Sequence, residues 1–245
     1  ESAVFFGQHI VHKGERIFFS DTQPNAGIER ITLLNILQKH AEKVGVEVRH
    51  KQQLTSLDSL VDQDLIVGAD GVNSIVRRRL DEAFGTTQRV LTSRMAWYGL
   101  DKRVAPAQLV FKKTEFGYFW YVVYPHSRSH STFVAECDDK AYRASGLGEM
   151  TPEQQVAFTE QIFAEELCGA HILYNNSVWR ALPVIRVKEW SVDNCVLLGD
   201  SLHSPHPSIG SGTRLSMGDA SALAECVAAN PGDIGSALRS YRIKR

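Results

Sequence analysis

The chain has 245 residues, 43% of them hydrophobic and 22% charged, and its formal net charge at pH 7 is −1. This size and apolar content suffice to bury the core of one large domain or of two small ones. The near-zero charge argues against general binding to nucleic acid or to an anionic membrane, and no apolar run approaches the ~20 residues that a membrane-spanning helix needs.

The cysteines and the chain ends bear on where the protein works. The four cysteines form no C-x-x-C pair and lie far apart, at positions 137, 168, 195 and 226. We expect reduced thiols, a cytoplasmic protein and no metal site. The chain has no initiator methionine, no secretory or transit pattern and no G-x-G-x-x-G fingerprint, and it ends on a basic helical pattern without a cap. We therefore interpret the sequence as a segment of a longer protein.

The first fifty residues predict short strands followed by an amphipathic helix. The strands are expected at 3–6, 10–11 and 16–19. The helix is predicted over 28–44, with Gly45 as its end, and residues 46–49 alternate as a further strand. Arg30 falls in the first turn of the helix. Taken alone, such an arginine is more often an ordinary surface residue.

A second motif follows an apolar strand predicted at 64–67. The strand runs into Gly68-Ala69-Asp70-Gly71, and a short helix capped by Asn73 or Ser74 comes next. Taken alone, this string is an Asp-Gly turn after a strand. Residues 77–79 are all arginines, for which a solvated helix face is the main interpretation and contact with NAD(P)H phosphates the alternative.

The middle of the chain predicts a mostly antiparallel sheet with one packed face. Aromatic-rich runs alternate with a period of two between turn signals, at 96–99, 108–111, 117–124 and 131–136. Most of these aromatic residues belong in the core, because only every second side chain of a strand can face a cavity. Trp97, Tyr98 and Tyr121 are the main candidates for an aromatic pocket, which Phe119, Trp120 and Tyr124 could line as well.

After this sheet, Thr151 followed by Pro152 and Gln154 predicts an N-capped helix that extends to about residue 167. Residues 178–180 and 184–187 are strand-like.

The segment 194–226 carries the strongest signal. Residues 195–198 are an apolar run typical of a buried strand, and Gly199-Asp200 places a carboxylate where that strand ends. A glycine-rich stretch, 209–213, then leads into a long helical pattern. This arrangement suits a nucleotide, because the carboxylate can accept hydrogen bonds from ribose hydroxyls and the free N–H groups of the helix can face an anion.

This segment resembles the second FAD-binding motif of the FAD-dependent aromatic monooxygenases similar to p-hydroxybenzoate hydroxylase. Eight residues match that motif in register, namely Gly199, Asp200, His203, Pro207, Gly210, Gly212, Asp219 and Ala220. A second signature of the family matches at Gly68, Asp70, Gly71, Ser74 and Arg77, and the helix that contains Arg30 resembles the family's arginine helix. Finer strings, such as 208–213 and 131–137, resemble the branch that contains salicylyl-CoA 5-hydroxylase and 2-aminobenzoyl-CoA monooxygenase. A tryptophan-derivative hydroxylase is similar to it as well.

The resemblance implies an α/β (α+β) fold in which an inserted, mostly antiparallel β-sheet substrate domain interrupts a partial FAD-binding Rossmann-like domain. The implied boundaries are 1–93 and 189–245 for the FAD-binding domain and 94–188 for the substrate domain. The implied cofactors are FAD and, as reductant, NADH or NADPH. The residues expected to bind cofactor are Arg30, Asp70, Gly71, Gly199, Asp200, Pro207, Gly210, Ser211, Gly212 and Thr213.

The implied reaction is hydroxylation of a small aromatic substrate by dioxygen through a flavin C4a-hydroperoxide, with the cofactor carrying the chemistry. An aryl-CoA thioester is the leading substrate, and a free aromatic acid or an indole or tryptophan derivative is the alternative. His206 is a candidate for contacting substrate, whereas His203 is expected to pack or to hydrogen-bond near the cofactor. A third hypothesis is a truncated, non-catalytic remnant. The chain departs from the family at Ser201-Leu202, where the family has Ala-Ala, and at Arg214, where it usually has Asn.

Overall fold

The computed structural model describes residues 2–206 and 210–245, and its contacts divide the chain into two compact units. The first unit combines residues 1–50 with 92–182, and the second combines 51–91 with 183–245. This division differs from the predicted one, which placed residues 1–93 together in the FAD-binding domain. The first fifty residues join the sheet unit because two of their strands extend its large sheet.

The secondary structure is mixed, as expected for the α/β class. In chain order the strands are β1 (Ala3–Phe5), β2 (Gln8–His12), β3 (Glu15–Phe19), β4 (Asn25–Gly27), β5 (Ile66–Gly68), β6 (Thr87–Val90), β7 (Arg94–Leu100), β8 (Ala107–Lys113), β9 (Tyr118–Pro125), β10 (Ser131–Cys137), β11 (Ile172–Leu173), β12 (Pro183–Arg186), β13 (Ser191–Val192) and β14 (Cys195–Leu197). The α-helices are α1 (Arg30–Lys43), α2 (Ile75–Arg79), α3 (Asp81–Phe84), α4 (Asp139–Ala144), α5 (Pro152–Ile162), α6 (Ala164–Leu167), α7 (Gly212–Ala229) and α8 (Ile234–Lys244). Within the described residues, no helix has the length and apolar character to cross a membrane.

The first unit is built on a seven-stranded sheet in the order β11-β7-β10-β9-β8-β2-β3. Its pairs are antiparallel except β2 with β8. One face is packed, as the alternation predicted. Tyr121 on this face lies 4.7 Å from Phe133 between ring centroids and 4.9 Å from Phe163, and Trp179 is buried in the same cluster. Aromatic packing therefore closes this face of the sheet.

Helix α1 forms as predicted, but no residue of it is buried. Leu34 and Leu37 are exposed, so nothing in the described part of the chain covers the apolar stripe. Gly45 follows the helix in the left-handed conformation, with φ of +85°. The strand predicted at 46–49 does not form. A strand requires a partner, and no described residues pair with this stretch.

The second unit contains the parallel pair β5 and β14, with β13 antiparallel on the other edge of β14. β14 is fully buried, as its apolar sequence predicted. Helices α7 and α8 pack together against it through Val196, Leu223 and Tyr241, all buried. The residues 178–180, expected to form a strand, lie in the first unit. They form only one isolated bridge there, between Met95 and Arg180.

The predicted helix over 152–167 is present, but it is interrupted at Phe163. This residue is fully buried in the aromatic cluster and separates α5 from α6. The start of α5 has the predicted capping box: the Thr151 hydroxyl accepts from the Gln154 backbone N–H at 3.3 Å, and the Gln154 side chain accepts from the Thr151 N–H at 2.8 Å.

Replacing Thr151 with Ala removes one half of this box. We expect the free energy of unfolding to fall by about 1 kcal/mol, as is typical for loss of an N-cap hydroxyl. Urea unfolding followed by circular dichroism measures the change. Thr151→Ser is the matched control, because it keeps the hydroxyl. Equal stability of the Ala and Ser variants would contradict the assigned role of the cap.

Candidate cofactor site

The two sequence motifs leave neighbouring strands at the same edge of a sheet. β5 and β14 are parallel, with Gly68 paired to Leu197, so the loops after them emerge side by side. The Leu198 N–H donates to the Gly68 carbonyl at 3.1 Å and continues the pairing one residue beyond the strands. Asp70 and Asp200 therefore both follow the carboxyl ends of adjacent parallel strands, the usual place for a nucleotide in such sheets.

Arg77 links the two loops through hydrogen bonds from its buried guanidinium. The residue is 3% exposed, and its guanidinium donates to the Ser201 carbonyl at 2.7 Å and to the Val72 carbonyl. The expectation of a solvated basic face at 77–79 was therefore wrong for this residue. Arg78 and Arg79 are exposed. Burial lowers the pKa of Arg77, while the nearby carboxylates of Asp70 and Asp81 oppose that change.

The Asp70 motif forms a tight turn into α2. The Asp70 carboxylate accepts from the Ile75 N–H at 2.6 Å, and the Ser74 hydroxyl caps the helix by accepting from the Arg77 N–H at 3.0 Å. Ser74 is thus the cap, one of the two residues predicted. Gly71 has φ of +78°, a conformation that other residues rarely adopt. Asp70 remains exposed, so its free lone pairs can serve a ligand.

Asp219, on α7, connects the helix to the Gly199 loop. Its side chain is 0% exposed and accepts three hydrogen bonds, from the Gly199 N–H at 2.9 Å, His203 Nε2 at 2.9 Å and Arg245 Nε at 2.8 Å. Burial acts to raise the pKa of this carboxyl, but the hydrogen bonds from His203, Gly199 and Arg245 outweigh burial and hold the pKa below its usual range. His203 also stacks on Trp190, with ring centroids 6.0 Å apart. It therefore has the packing and hydrogen-bonding role that the sequence suggested.

Two features keep the start of α7 close to the loop and open to a ligand. Gly199 has φ of +60°, and a Cβ there would lie 2.7 Å from the Ser216 hydroxyl, so only glycine lets α7 approach. At the N-terminus of α7, Ser211 is the N-cap residue and gives no side-chain cap. Among the described residues, the N-cap side chain thus does not accept from the first N–H groups of the helix, and the helix dipole concentrates positive charge there. At Gly210 and Gly212, no atom of the described residues other than the chain neighbours lies within 4 Å of where a Cβ would be.

The remaining predicted cofactor residues lie as follows. Asp200 is exposed and accepts no hydrogen bond from the described residues. Thr213 is exposed in the first turn of α7, and Ser211 is buried before it. Pro207 lies outside the described residues, and His206, next to it, is half-buried. Arg30 is an exposed residue of the first unit, at the start of α1.

The three aromatic residues predicted to contact substrate do not lie on one face of the large sheet, because successive side chains of a strand point to opposite faces. Tyr98 is 1% exposed and Tyr121 is 2% exposed, both on the closed face of the sheet, so we no longer assign them to the substrate pocket. Trp97, 45% exposed, lies on the opposite face. The sequence made Trp120 a candidate for the pocket but did not predict its partner on that face, where the Trp120 indole N–H donates to the nearly buried Glu136 carboxylate at 3.0 Å. The period-two pattern from Trp97 was the signal that could have found it.

The described residues fit an FAD-type ligand in their chemistry. An exposed carboxylate, an uncapped helix start and glycines with open space supply an acceptor for hydroxyls and donors for an anion within one short segment. Within residues 2–206 and 210–245, no three His, Cys, Asp or Glu side chains gather as a metal site.

Substituting Asp219 with Asn tests the linkage between helix and loop. We expect the free energy of unfolding to fall by about 3 kcal/mol near neutral pH, because the variant leaves two buried donors poorly paired. The folded pKa lies below the ordinary value of 3.8, so the stabilisation is fully present above about pH 4 and is lost as pH falls through the folded pKa. The difference in free energy of unfolding between the wild type and the Asp219→Asn variant should therefore become smaller as the pH falls below about 4. Urea unfolding across pH measures it, with exposed Asp200→Asn as the control; a gap that is constant down to pH 2 contradicts the assignment.

The chain resembles known proteins over most of its length. It is 33% identical over 228 residues to Salicyloyl-CoA 5-hydroxylase from Streptomyces sp, which covers 90% of this chain and 44% of that protein. It is 35% identical over 236 residues to 3-hydroxy-4-methyl-anthranilyl-(aryl-carrier protein) 5-monooxygenase from Streptosporangium sibiricum, covering 96% of this chain and 62% of that protein. The chain thus spans about half to three-fifths of the length of these relatives.

Solved structures share the fold. PqsL from Pseudomonas aeruginosa superposes with a TM-score of 0.72 at 20% identity, covering 100% of this chain and 74% of that one. The 2-methyl-3-hydroxypyridine-5-carboxylic acid oxygenase gives a TM-score of 0.75 at 16% identity, covering 97% and 68%. The expected fold class is therefore confirmed. Residues 58–244 match the family model described as FAD binding domain. Because these residues make up more than half of the chain, the chain belongs to the FAD binding domain family.

Proposed function

We propose that the chain is the larger part of the catalytic machinery of an FAD-dependent monooxygenase that hydroxylates a small aromatic substrate with dioxygen and NAD(P)H. The observation that carries the proposal is the exposed Asp200 carboxylate in the same loop as the uncapped start of α7. The buried contacts of Asp219 and Arg77 hold Gly199 and Ser201, on either side of Asp200, in place. A rigid support of this kind keeps binding groups oriented before the ligand arrives.

Each group of the site has a role in this proposal. Asp200 accepts hydrogen bonds from hydroxyls of the FAD ribose or ribitol chain. The N-terminus of α7 favours negative charge on the cofactor, and Gly210 and Gly212 permit its close approach. Bound FAD supplies the redox chemistry, transferring electrons from NAD(P)H to dioxygen, one atom of which is added to the aromatic ring. The protein contributes binding and orientation, and we assign no residue as an acid or base.

An aryl thioester is the substrate class we favour. One relative is named for salicyloyl-CoA and another for an anthranilyl group on an aryl-carrier protein, and both exceed 30% identity. The more distant relative from Chromobacterium violaceum, 28% identical, is named Protodeoxyviolaceinate monooxygenase, which keeps a free aromatic substrate as the alternative. Trp97 is the proposed contact for the ring, because of Trp97, Tyr98 and Tyr121 it is the one whose side chain is exposed.

We place the reductant at a cavity of about 440 Å³ beside α2. Gln53, Thr55 and Ile75 line it together with the exposed Arg78 and Arg79. Two arginines can bind phosphate oxygens through charge-assisted hydrogen bonds, and neighbouring polar groups can complete the contact. Contact with NAD(P)H phosphates, the alternative interpretation of residues 77–79, is thus what we propose for Arg78 and Arg79.

Asp200→Asn should lower the affinity for FAD by about tenfold or more, since a hydrogen bond to a charged group is worth roughly 1.5–3 kcal/mol. The visible spectrum of the purified whole protein and titration of its apo form with FAD measure this affinity. Asp193→Asn is the matched control, because Asp193 is also an exposed aspartate next to β14. Full retention of FAD by Asp200→Asn contradicts the site. A wild-type protein that does not bind FAD points instead to the remnant hypothesis.

The double substitution Arg78→Gln, Arg79→Gln should raise the KM for NAD(P)H by about tenfold and change kcat little, because it removes ground-state phosphate binding. Steady-state oxidation of NADH and of NADPH by the whole protein measures this. Arg143→Gln, at an exposed arginine in the other unit, is the control. An unchanged KM sinks the proposed reductant site.

Product analysis decides the substrate class. We expect coupled NAD(P)H oxidation and a hydroxylated product with salicyloyl-CoA, and at least tenfold lower kcat/KM with free salicylate. Coupled turnover of salicylate alone would refute the thioester proposal but leave the monooxygenase proposal intact.

A further inference from the structure

The first unit contains a cavity that the proposed cofactor chemistry does not use. It has a volume of about 490 Å³ and lies between the β2–β8–β9 part of the large sheet and the end of α6. Its volume is within the range that small-molecule sites occupy. Its lining includes apolar side chains from neighbouring strands, namely Val11, Val110 and Phe111.

Tyr121 supplies an unused donor to this cavity. The residue lines the cavity although it is only 2% exposed, and its ring is fixed against Phe133 and Phe163. Its hydroxyl takes part in no hydrogen bond among the described residues. Burial, and to a smaller extent the negative charge of Glu166, raise the pKa of this phenol well above its ordinary value, and the charge of Arg16 opposes them more weakly. The hydroxyl therefore remains protonated and can donate.

The charges around the cavity favour an anion. Lys112 is already paired, with Glu166 at 2.9 Å and Glu165 at 3.3 Å. Arg16 also lines the cavity, as do Lys13 and Lys113, and none of these three has a carboxylate partner within the described part of the chain. Both carboxylates of the lining, Glu165 and Glu166, thus pair with Lys112. The other three cations remain to attract an anionic ligand.

We propose that this cavity binds a small aromatic carboxylate. The ring lies against Val11 and Val110, which pair with each other on the face of the sheet that carries Tyr121. The carboxylate accepts hydrogen bonds from the Tyr121 hydroxyl and the Arg16 guanidinium. Apolar walls with a few convergent polar groups are the usual composition of such sites, and a guanidinium suits a carboxylate. The site lies in the unit that does not contain the Asp200 and Asp70 motifs, so its occupancy does not require FAD.

Binding of 4-fluorobenzoate, followed by fluorine NMR on the apo form of the whole protein, tests the proposal. We expect Tyr121→Phe to raise the Kd about fivefold and Arg16→Gln to raise it about tenfold. We also expect the neutral analogue 4-fluorobenzamide to bind at least tenfold more weakly than the carboxylate. Arg16 is exposed, so its variant should fold normally, and thermal unfolding of each variant checks this.

Two variants serve as controls. Arg143→Gln alters an exposed arginine elsewhere in the same unit, and Trp97→Phe alters the opposite face of the sheet; both should leave the Kd unchanged. Absence of binding at millimolar 4-fluorobenzoate overturns the proposal. Binding that Trp97→Phe weakens and both Arg16→Gln and Tyr121→Phe leave unchanged overturns it as well, because the ligand then occupies the proposed substrate face. Loss of FAD binding in Asp200→Asn bears on the cofactor site alone.

Discussion

The buried carboxylate of Asp219 is the interaction on which the cofactor segment depends. A fully buried charge is costly unless donors surround it, and here three donors do so from three separate parts of the chain: the loop after β14, the histidine beyond it and the last residue of the chain. One of these donors is the Gly199 backbone N–H, so the carboxylate fixes the position of the loop itself. Because Asp219 is on α7, the same contacts set where the helix begins relative to the strand.

A second set of contacts fixes this loop against its neighbour. Ser201 is fully buried, and its single hydroxyl hydrogen is shared between the carbonyls of Leu198, at 2.6 Å, and Gly68. Arg77 donates to the Ser201 carbonyl from the other motif. An alanine at 201, which the resemblance led us to expect, has no hydroxyl for the first contact. The serine therefore adds a link between the two loops that does not depend on Arg77.

Local sequence signals predicted those elements that local interactions determine. The capping box at Thr151 and Gln154 forms because its partners are three residues apart, and α7 follows from its own apolar spacing. Long-range partners decided the failures. Residues 46–49 have strand composition but no partner, and Arg77 is buried because it meets a carbonyl 124 positions away. Alternation identified two faces of the large sheet, but it could not show which one the helices cover, so Tyr98 and Tyr121 were placed on the wrong side.

Arg214 illustrates how the site is prepared for negative charge. It lies in the first turn of α7, where the helix dipole already concentrates positive charge, and it donates to the Ser211 hydroxyl at 3.2 Å. A cation at this end of a helix is unfavourable by a few tenths of a kcal/mol to about 1 kcal/mol when no anion is present. An anionic ligand reverses that sign, since it is attracted by both the arginine and the dipole. An arginine at this position would therefore weaken the free helix and, compared with the family's usual asparagine, favour the anionic cofactor that we propose for the site.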